Sequence, residues 1–442
     1  MLQIKAIGGY LEVGKNMSLL QVDDEAVVLD MGVHLDHYIE FTEDEDLKKI
    51  SGKQLIEVEA APNINLIPDT HKVKAIVCSH AHLDHLGAVP FISNKFNCPI
   101  ISTPFACAVL ESILKDENMH IKNKIKQLNV NDSVQISDKI TIEFINMTHS
   151  TPQTVMIAVH TPYGIVLYSN DFKFDNFPVL GKQPNFKRLE HLSEEGVVCL
   201  IVDSLYADAF RKTPSESVAR SMLQDVMLGT QCDGVMIVTT FSSHIARLKS
   251  IIEFGKKLNR NIIFLGRSLS KYVSAAESIN LVNFSKDVKL FRFGGQIRKQ
   301  LKKIMKDGKH KYLIVCTGGQ GEPKSVMSKI TTGYFKFDLD ESDSIIFSCS
   351  VIPSNVNKGN REELEKKLMD KGVRIFKDIH ASGHASREDL RDLINLVKPQ
   401  HIIPAHSELN KSKALIELAS EMGYKQGETS HMLGVGHTLR LQ

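Results

Sequence analysis

SHAHLDHLGA, residues 79–88, follows directly on the apolar run KAIVC, residues 74–78. The apolar run reads as a strand, and the polar cluster begins where it ends. His80 and His82 stand at i and i+2, so in extended chain they point to the same side. Asp84 and His85 come after a turn, near the start of a helix expected to run through Leu86, Val89 and Phe91. This spacing can present two histidines to one metal ion and a carboxylate plus a histidine to a neighbouring one. Neutral imidazole and carboxylate are the ligands that zinc and similar ions take. The alternative is a polar loop with incidental histidines, and the density of ligand types at a strand end argues against it.

A metal needs more donors than this stretch supplies, and similar residues stand at other strand ends. His149 follows KITIEFINMT, Asp171 ends GIVLYSND, and His406 ends HIIPAH. Each taken alone reads as an ordinary surface or hydrogen-bonded residue. Beside residues 79–88 they become candidate ligands.

The runs MSLLQV, AVVLDMG, KITIEFI, GIVLYSND and VVCLIVDS are short and continuously apolar, as strands buried on both faces are. Their close spacing predicts a largely antiparallel sheet over the first 200 residues. The stretch from Asp36 to Thr70, with its acidic TEDED run, is weakly patterned and predicts a long loop. After Ala209 the pattern alternates between helix-like and strand-like segments, which predicts a doubly wound parallel sheet. A second domain is therefore placed at 209–373, between parts of a first domain at 1–208 and 374–442. In the last part Ser386 and Asp389 form a capping-box pair ahead of Leu390, Leu393, Ile394 and Val397, and Pro399 stops the helix.

The 442 residues carry a formal charge of only +2, so any groove for a polyanion must be local. Seven cysteines, with no close pair among them, fit reduced thiols rather than a disulfide framework. Neither a signal peptide nor a membrane span is expected, which predicts a cytoplasmic protein.

The ligand set resembles that of the metallo-β-lactamase superfamily. The resemblance implies an α/β fold, an αββα sandwich with the metal site at one edge. It implies two divalent ions, zinc with manganese as the alternative. His80, His82 and His149 would hold one; Asp84, His85 and His406 the other; Asp171 would bridge them. Asp30, in VVLDMG, would support the metal loop without binding metal. Asp203, His384 and His406, with the βα insertion between the first two, are similar to motifs A, B and C of the β-CASP nucleases, whose inserted domain caps the active site. The chemistry agrees: a buried carboxylate can fix an imidazole that protonates a leaving oxygen. Asp203 is thus the expected orienting group and His384 the expected general acid, with Asp84 the third catalytic residue.

Within β-CASP nucleases the chain looks most like ribonuclease J in its short archaeal form. IGGYLEVGKNM, DSLYAD, TFSSHIARL, CTGGQGEP and IHASGHASREDL carry the resemblance across nearly the whole chain. DSLYAD departs from the more usual DST. The extra C-terminal domain of bacterial forms and the KH domains of archaeal endonuclease relatives are expected to be absent. The resemblance implies single-stranded RNA as substrate, 5′→3′ exonuclease action on 5′-monophosphate ends, and a homodimer; an endonuclease or a dual endo/exo nuclease is the alternative, and a non-catalytic RNA-binding protein a more distant one.

Phosphates need donors, which gather at the carboxyl ends of a doubly wound sheet. Candidates are Ser242, Ser243 and His244 at one helix start, Arg267 and Ser268 at another, and a loop at Gly318, Gly319 and Gly321. Ser382 and Gly383 lie beside His384. Residues 286–311 hold ten Lys or Arg against Asp287 and Asp307. That run reads as a solvated face, with tracking along RNA as the alternative, and Phe291 and Phe293 are expected in the core rather than as stacking platforms.

Overall fold

The computed structural model describes residues 1–42, 47–352 and 355–441, so the acidic residues 43–46 lie outside the described part. The chain forms two compact units. The first comprises residues 1–176, 181–213 and 383–442; the second comprises 177–180 and 214–382.

The first unit contains two large sheets. One runs in the order Thr438–Arg440, Leu2–Gly8, Met17–Val22, Glu25–Leu29, Val73–Val77, Ile100–Ser102, Ile125–Gln127. The other runs His401–Ala405, Val197–Asp203, Gly164–Asn170, Val155–Thr161, Thr141–Asn146, Ser133–Gln135. Alternate side chains explain why they stack. Leu2, Ile4, Val27 and Val77 of the first sheet share a core with Phe144, Val155, Ile157 and Ile201 of the second. Met156, Ala158 and Leu167 point the other way, onto Leu189, Leu390, Leu393 and Leu415. Those leucines belong to the helices Phe186–Glu195, Arg387–Val397 and Leu409–Glu421. Burial of each such side chain stabilises the fold by about 1.5–3 kcal/mol. The helix Pro104–Asp116 packs on strands of the first sheet, completing an αββα sandwich.

The expectation of a largely antiparallel sheet holds for part of each sheet: Met17–Val22 pairs antiparallel with Leu2–Gly8 and Glu25–Leu29, and Val155–Thr161 with Thr141–Asn146 and Gly164–Asn170. It is corrected around Val73–Val77 and Val197–Asp203. Val73–Val77 pairs in parallel with both Glu25–Leu29 and Ile100–Ser102, and Val197–Asp203 pairs in parallel with both Gly164–Asn170 and His401–Ala405. Parallel neighbours need a crossover. The crossovers to and from Val73–Val77 carry only short helices, whose apolar pattern is weaker than the strand runs beside them, whereas the ten-residue helix Phe186–Glu195 supplies the crossover to Val197–Asp203. The stretch from Asp36 to Thr70 is likewise no plain loop: it holds the helices Leu35–Thr42 and Gly52–Glu57, the latter capped by Ser51. At Ser386 the expected cap forms, with the Asp389 carboxylate accepting the Ser386 N–H at 3.2 Å.

Parallel pairing also positions chemistry. Gly164–Asn170, Val197–Asp203 and His401–Ala405 lie side by side and end at one edge, which sets Asp171, Asp203 and His406 next to one another.

The second unit is a six-stranded, all-parallel sheet in the order Val288–Phe291, Asn261–Leu265, Tyr312–Cys316, Met236–Thr239, Ser344–Phe347, Arg374–Phe376. Helices including Ile245–Lys257, Arg267–Ser278 and Gly294–Asp307 connect the strands. Phe291 packs partly against this unit's core, but Phe293 is 53% exposed, contrary to its expected burial. It stands just ahead of the helix Gly294–Asp307, whose inward face is made by Ile297, Leu301 and Ile304 instead.

Candidate metal centre

Five histidines and two aspartates converge at one edge of the first unit. Donor atoms of His80, His82, His149 and Asp171 lie within 4.8 Å of one another, and so do those of Asp84, His85, Asp171 and His406. Asp171 belongs to both sets through different oxygens. Its Oδ2 is 3.7 Å from His80 Nε2 and 3.6 Å from His149 Nε2. Its Oδ1 is 3.2 Å from His85 Nε2 and 3.8 Å from His406 Nε2.

Local bonds decide which nitrogen each ring offers. His149 gives Nδ1 to the Gly383 carbonyl at 2.7 Å, so its Nε2 faces the cluster with a lone pair. His85 gives Nδ1 to Asp30 at 2.6 Å. His406 Nδ1 lies 2.8 Å from the Asn16 amide, which turns Nε2 inward. Partners of this kind fix ring orientation in metal sites. Asp30 is fully buried and also accepts the Ser79 N–H at 2.7 Å, the Ser79 hydroxyl at 2.9 Å and the Tyr168 hydroxyl at 2.9 Å. It ties the metal loop to two neighbouring strands.

The backbone is strained to reach this arrangement. Asp30, Asn170 and His406 adopt φ of 60°, 46° and 54°, a region costly for side chains other than glycine. At Gly32 an added Cβ would lie 1.6 Å from the Asp84 carbonyl oxygen, so only glycine lets the two segments approach.

These donors fit a divalent cation. His82 Nδ1 sits 3.1 Å from both His80 Nε2 and His149 Nε2, so ring nitrogens converge where lone pairs would otherwise repel. Burial holds His80 and His149 well below the ordinary histidine range and lowers His82 to about 4, leaving all three neutral and able to ligate. Burial also opposes charge on His85, yet Asp171, Asp30 and Asp84 outweigh it and pull that ring well above its usual value. Such an excess of carboxylate charge is what a bound cation answers. Asp171 Oδ1 is buried and accepts no well-aligned hydrogen bond among the described residues.

Beside the cluster, His384 Nδ1 lies 2.8 Å from Asp203 Oδ2, and His384 Nε2 is 3.9 Å from Asp171 Oδ2. Burial lowers the His384 pKa, but Asp171 and Asp203 together raise it to about 9. The Tyr206 ring is 6.0 Å from the His384 ring. At Gly383 an added Cβ would meet the His149 ring at 2.7 Å.

The other predicted residues lie in the second unit. A cavity of about 210 Å³ opens at the carboxyl ends of its central strands, lined by Thr240, Ser242, Ser268, Thr317, Gly318 and Gly319 among others. Arg267 is exposed at the start of its helix, and Gly321, with φ 79°, turns the third loop. Ser243 and His244 are buried; His244 caps the helix Ile245–Lys257 by accepting the Arg247 N–H at 3.2 Å. Arg247 is fully buried and holds Glu216 with two bonds of 2.6 and 2.8 Å. Ser382 is half-buried in the segment leading to Gly383. Sequence reasoning passed over Asn16, Ser79, Tyr168, Glu216 and Arg247. The signal for Asn16 was a short polar residue at the close of the quoted GKNM stretch; the others look ordinary in sequence.

Comparison with known proteins assigns the fold. Family models match for the metallo-β-lactamase superfamily over residues 11–198, the ribonuclease J β-CASP domain over 233–363, and the Zn-dependent metallo-hydrolase RNA specificity domain over 373–429. Ribonuclease J of Methanocaldococcus jannaschii is 42% identical over 100% of this chain and 99% of its own length. Ribonuclease J of Pyrococcus abyssi is 40% identical over 100% of this chain and 97% of its own length. Ribonuclease J 1 of Streptococcus pyogenes is 31% identical over 95% of this chain and 70% of its own length. A solved structure of a protein of unknown function from Enterococcus faecalis superposes with a TM-score of 0.65 at 16% identity, covering 99% of both chains, which supports the fold alone. With its metallo-β-lactamase, β-CASP and RNA-specificity segments in that order, the chain belongs to the ribonuclease J family.

Proposed function

We propose that the chain is a metal-dependent ribonuclease that degrades single-stranded RNA from the 5′ end, releasing nucleotides with 5′ phosphates. The observation that carries this reading is Asp171, whose two oxygens face two separate ligand sets beside the Asp203–His384 pair. His80, His82 and His149 would hold one divalent ion and Asp84, His85 and His406 the other, with Asp171 between them. Two such ions, zinc with manganese as the alternative, supply Lewis acidity that makes water a nucleophile at neutral pH and stabilises charge on a phosphoryl oxygen.

The chain's own groups do the rest. Asp203 accepts from His384 Nδ1 and so fixes the ring. Nε2 then carries the proton that the departing 3′ oxygen needs. The cavity in the second unit recognises the 5′ phosphate through Ser242, Ser268 and the backbone N–H groups of the glycine loop, with Arg267 at its edge. Ser243 and His244 hold that loop in place, and Ser382 and Gly383 set the approach to His384. The catalytic fold, expected at 1–208 and 374–442, would be the first compact unit at 1–176, 181–213 and 383–442, and the inserted domain, expected at 209–373, the second, in a cytoplasmic homodimer. No helix among the described residues is long and apolar enough to cross a membrane.

End-labelled RNAs with 5′-monophosphate, 5′-triphosphate and circular backbones test the reading. Monophosphate RNA should be degraded fastest and to mononucleotides, and circular RNA should survive. Efficient cutting of circular RNA would replace the exonuclease with an endonuclease.

A further inference from the structure

The basic stretch of the second unit has a face that the hydrolytic chemistry leaves unused. The helix Gly294–Asp307 buries Ile297, Leu301 and Ile304 and turns Arg298, Lys299, Lys302, Lys303 and Lys306 to solvent. None of these five cations has an acidic partner within 4.0 Å among the described residues. Arg298/Lys302, Lys299/Lys303 and Lys302/Lys306 are like charges at i,i+4, each costing about 0.2–0.5 kcal/mol of helix stability. A merely solvated helix would intersperse acids; this one accumulates repulsion that a polyanion would relieve.

Aromatic rings interleave with the cations. Phe293 is 53% exposed with the Arg292 guanidinium 5.3 Å from its ring centre. Tyr334 is 58% exposed, flanked by Arg298 at 5.2 Å and Lys329 at 5.8 Å. Exposed rings beside a backbone-tracking row of cations are how sequence-tolerant single-strand sites are built, by stacking plus phosphate attraction. The position agrees. Arg292 and Phe293 directly follow the strand Val288–Phe291, so they stand at the sheet edge where the parallel strands end and the cavity opens.

We propose that this face is a second, sequence-independent contact for single-stranded RNA, gripping nucleotides beyond those taken up by the cavity. The proposal rests on RNA being the substrate. It is tested by equilibrium binding in the full chain carrying Asp84→Ala, so that nothing is cut. Fluorescence anisotropy is read with labelled RNAs of about 30 and about six nucleotides, against salt concentration. One variant replaces Arg298, Lys299, Lys302, Lys303 and Lys306 with Gln; a second carries Phe293→Ser and Tyr334→Ser.

The charge variant should bind the long RNA about tenfold more weakly or worse, with the log–log salt slope flatter by about 0.7 per lost contact. The aromatic variant should lose about tenfold with its slope unchanged. Both should lose less on the short RNA. Unaltered affinity and slope on the long RNA in the charge variant would overturn the proposal and leave an acidic protein as the partner. Equal loss on both RNAs would overturn it as well. Thermal unfolding of each variant separates lost contact from lost fold. Because hydrolysis is not read here, failure of the unmodified chain to cut RNA would refute the ribonuclease reading independently.

Discussion

His384 Nδ1 lies 2.8 Å from Asp203 Oδ2, although the two residues are 181 positions apart. Asp203 is in turn held by the Leu205 N–H, which donates to its other oxygen at 2.9 Å. The His384 ring stacks on His406 with an interplanar angle of 5° and a centroid distance of 5.5 Å. The imidazole is thus pinned on one side by a carboxylate and on one face by a candidate metal ligand. Its remaining nitrogen has a single direction to point.

Removing that ring should remove proton delivery and little else. His384→Ala is expected to lower the single-turnover rate by about 10²–10⁴ while metal content stays at the parent level. Asp203→Asn should give a smaller loss, because the ring remains but its tautomer is no longer enforced. Stopped-time hydrolysis of monophosphate RNA, with metal analysis of the same preparations, reads both.

Asp30 should matter for stability without touching substrate. Asp30→Ala leaves the Ser79 hydroxyl, the Tyr168 hydroxyl and His85 Nδ1 without their buried acceptor. The expected cost is about 3 kcal/mol or more, seen as a lower urea midpoint, and metal affinity should fall with it.

The cavity gives a prediction about ends rather than chemistry. Ser268→Asp adds a second carboxylate to a space that Glu322 already shares with the hydroxyls of Thr240, Ser242 and Thr317 and with Gly318 and Gly319. The preference for 5′-monophosphate over 5′-hydroxyl RNA should fall about tenfold or more through repulsion of the phosphate. A preference equal to the parent's would remove the cavity from the account.

Much of the candidate centre was legible because its histidines and aspartates cluster at strand ends, and continuous apolar runs mark those strands. The stretch 79–88 sits directly after Val73–Val77, and Asp171 and His406 directly after Gly164–Asn170 and His401–Ala405. The supporting groups were not legible. Asn16 reaches His406 from 390 positions away, and its place in the GKNM stretch does not name that partner. The parallel pairings on either side of Val73–Val77 were not legible because the helices of those crossovers are brief, such as the four residues Leu83–Leu86 and the six residues Gly52–Glu57. Phe293 was assigned to the core on residue type alone, whereas its place ahead of a helix with a full apolar stripe leaves it outside.

Acid should weaken the first unit through Glu143. Burial raises its pKa, but hydrogen bonds from His160 at 2.8 Å and Arg188 at 2.6 Å more than reverse this and lower it to about 2. A carboxyl with a depressed folded-state pKa contributes stability that is fully present above its unfolded value, about 4.3, and is lost as pH falls toward 2. Glu143→Gln should therefore lower the thermal midpoint at pH 7 and converge on the parent between about pH 4 and pH 2.

In the proposed function Asp171 joins two candidate metal sets into one hydrolytic centre. The most direct measurement of that role is metal content and RNA hydrolysis in parallel for the parent and Asp171→Ala. About two divalent ions per parent chain are expected. The variant should hold fewer, with RNA cleavage lost and RNA binding kept. Parent-level cleavage by Asp171→Ala would contradict that role.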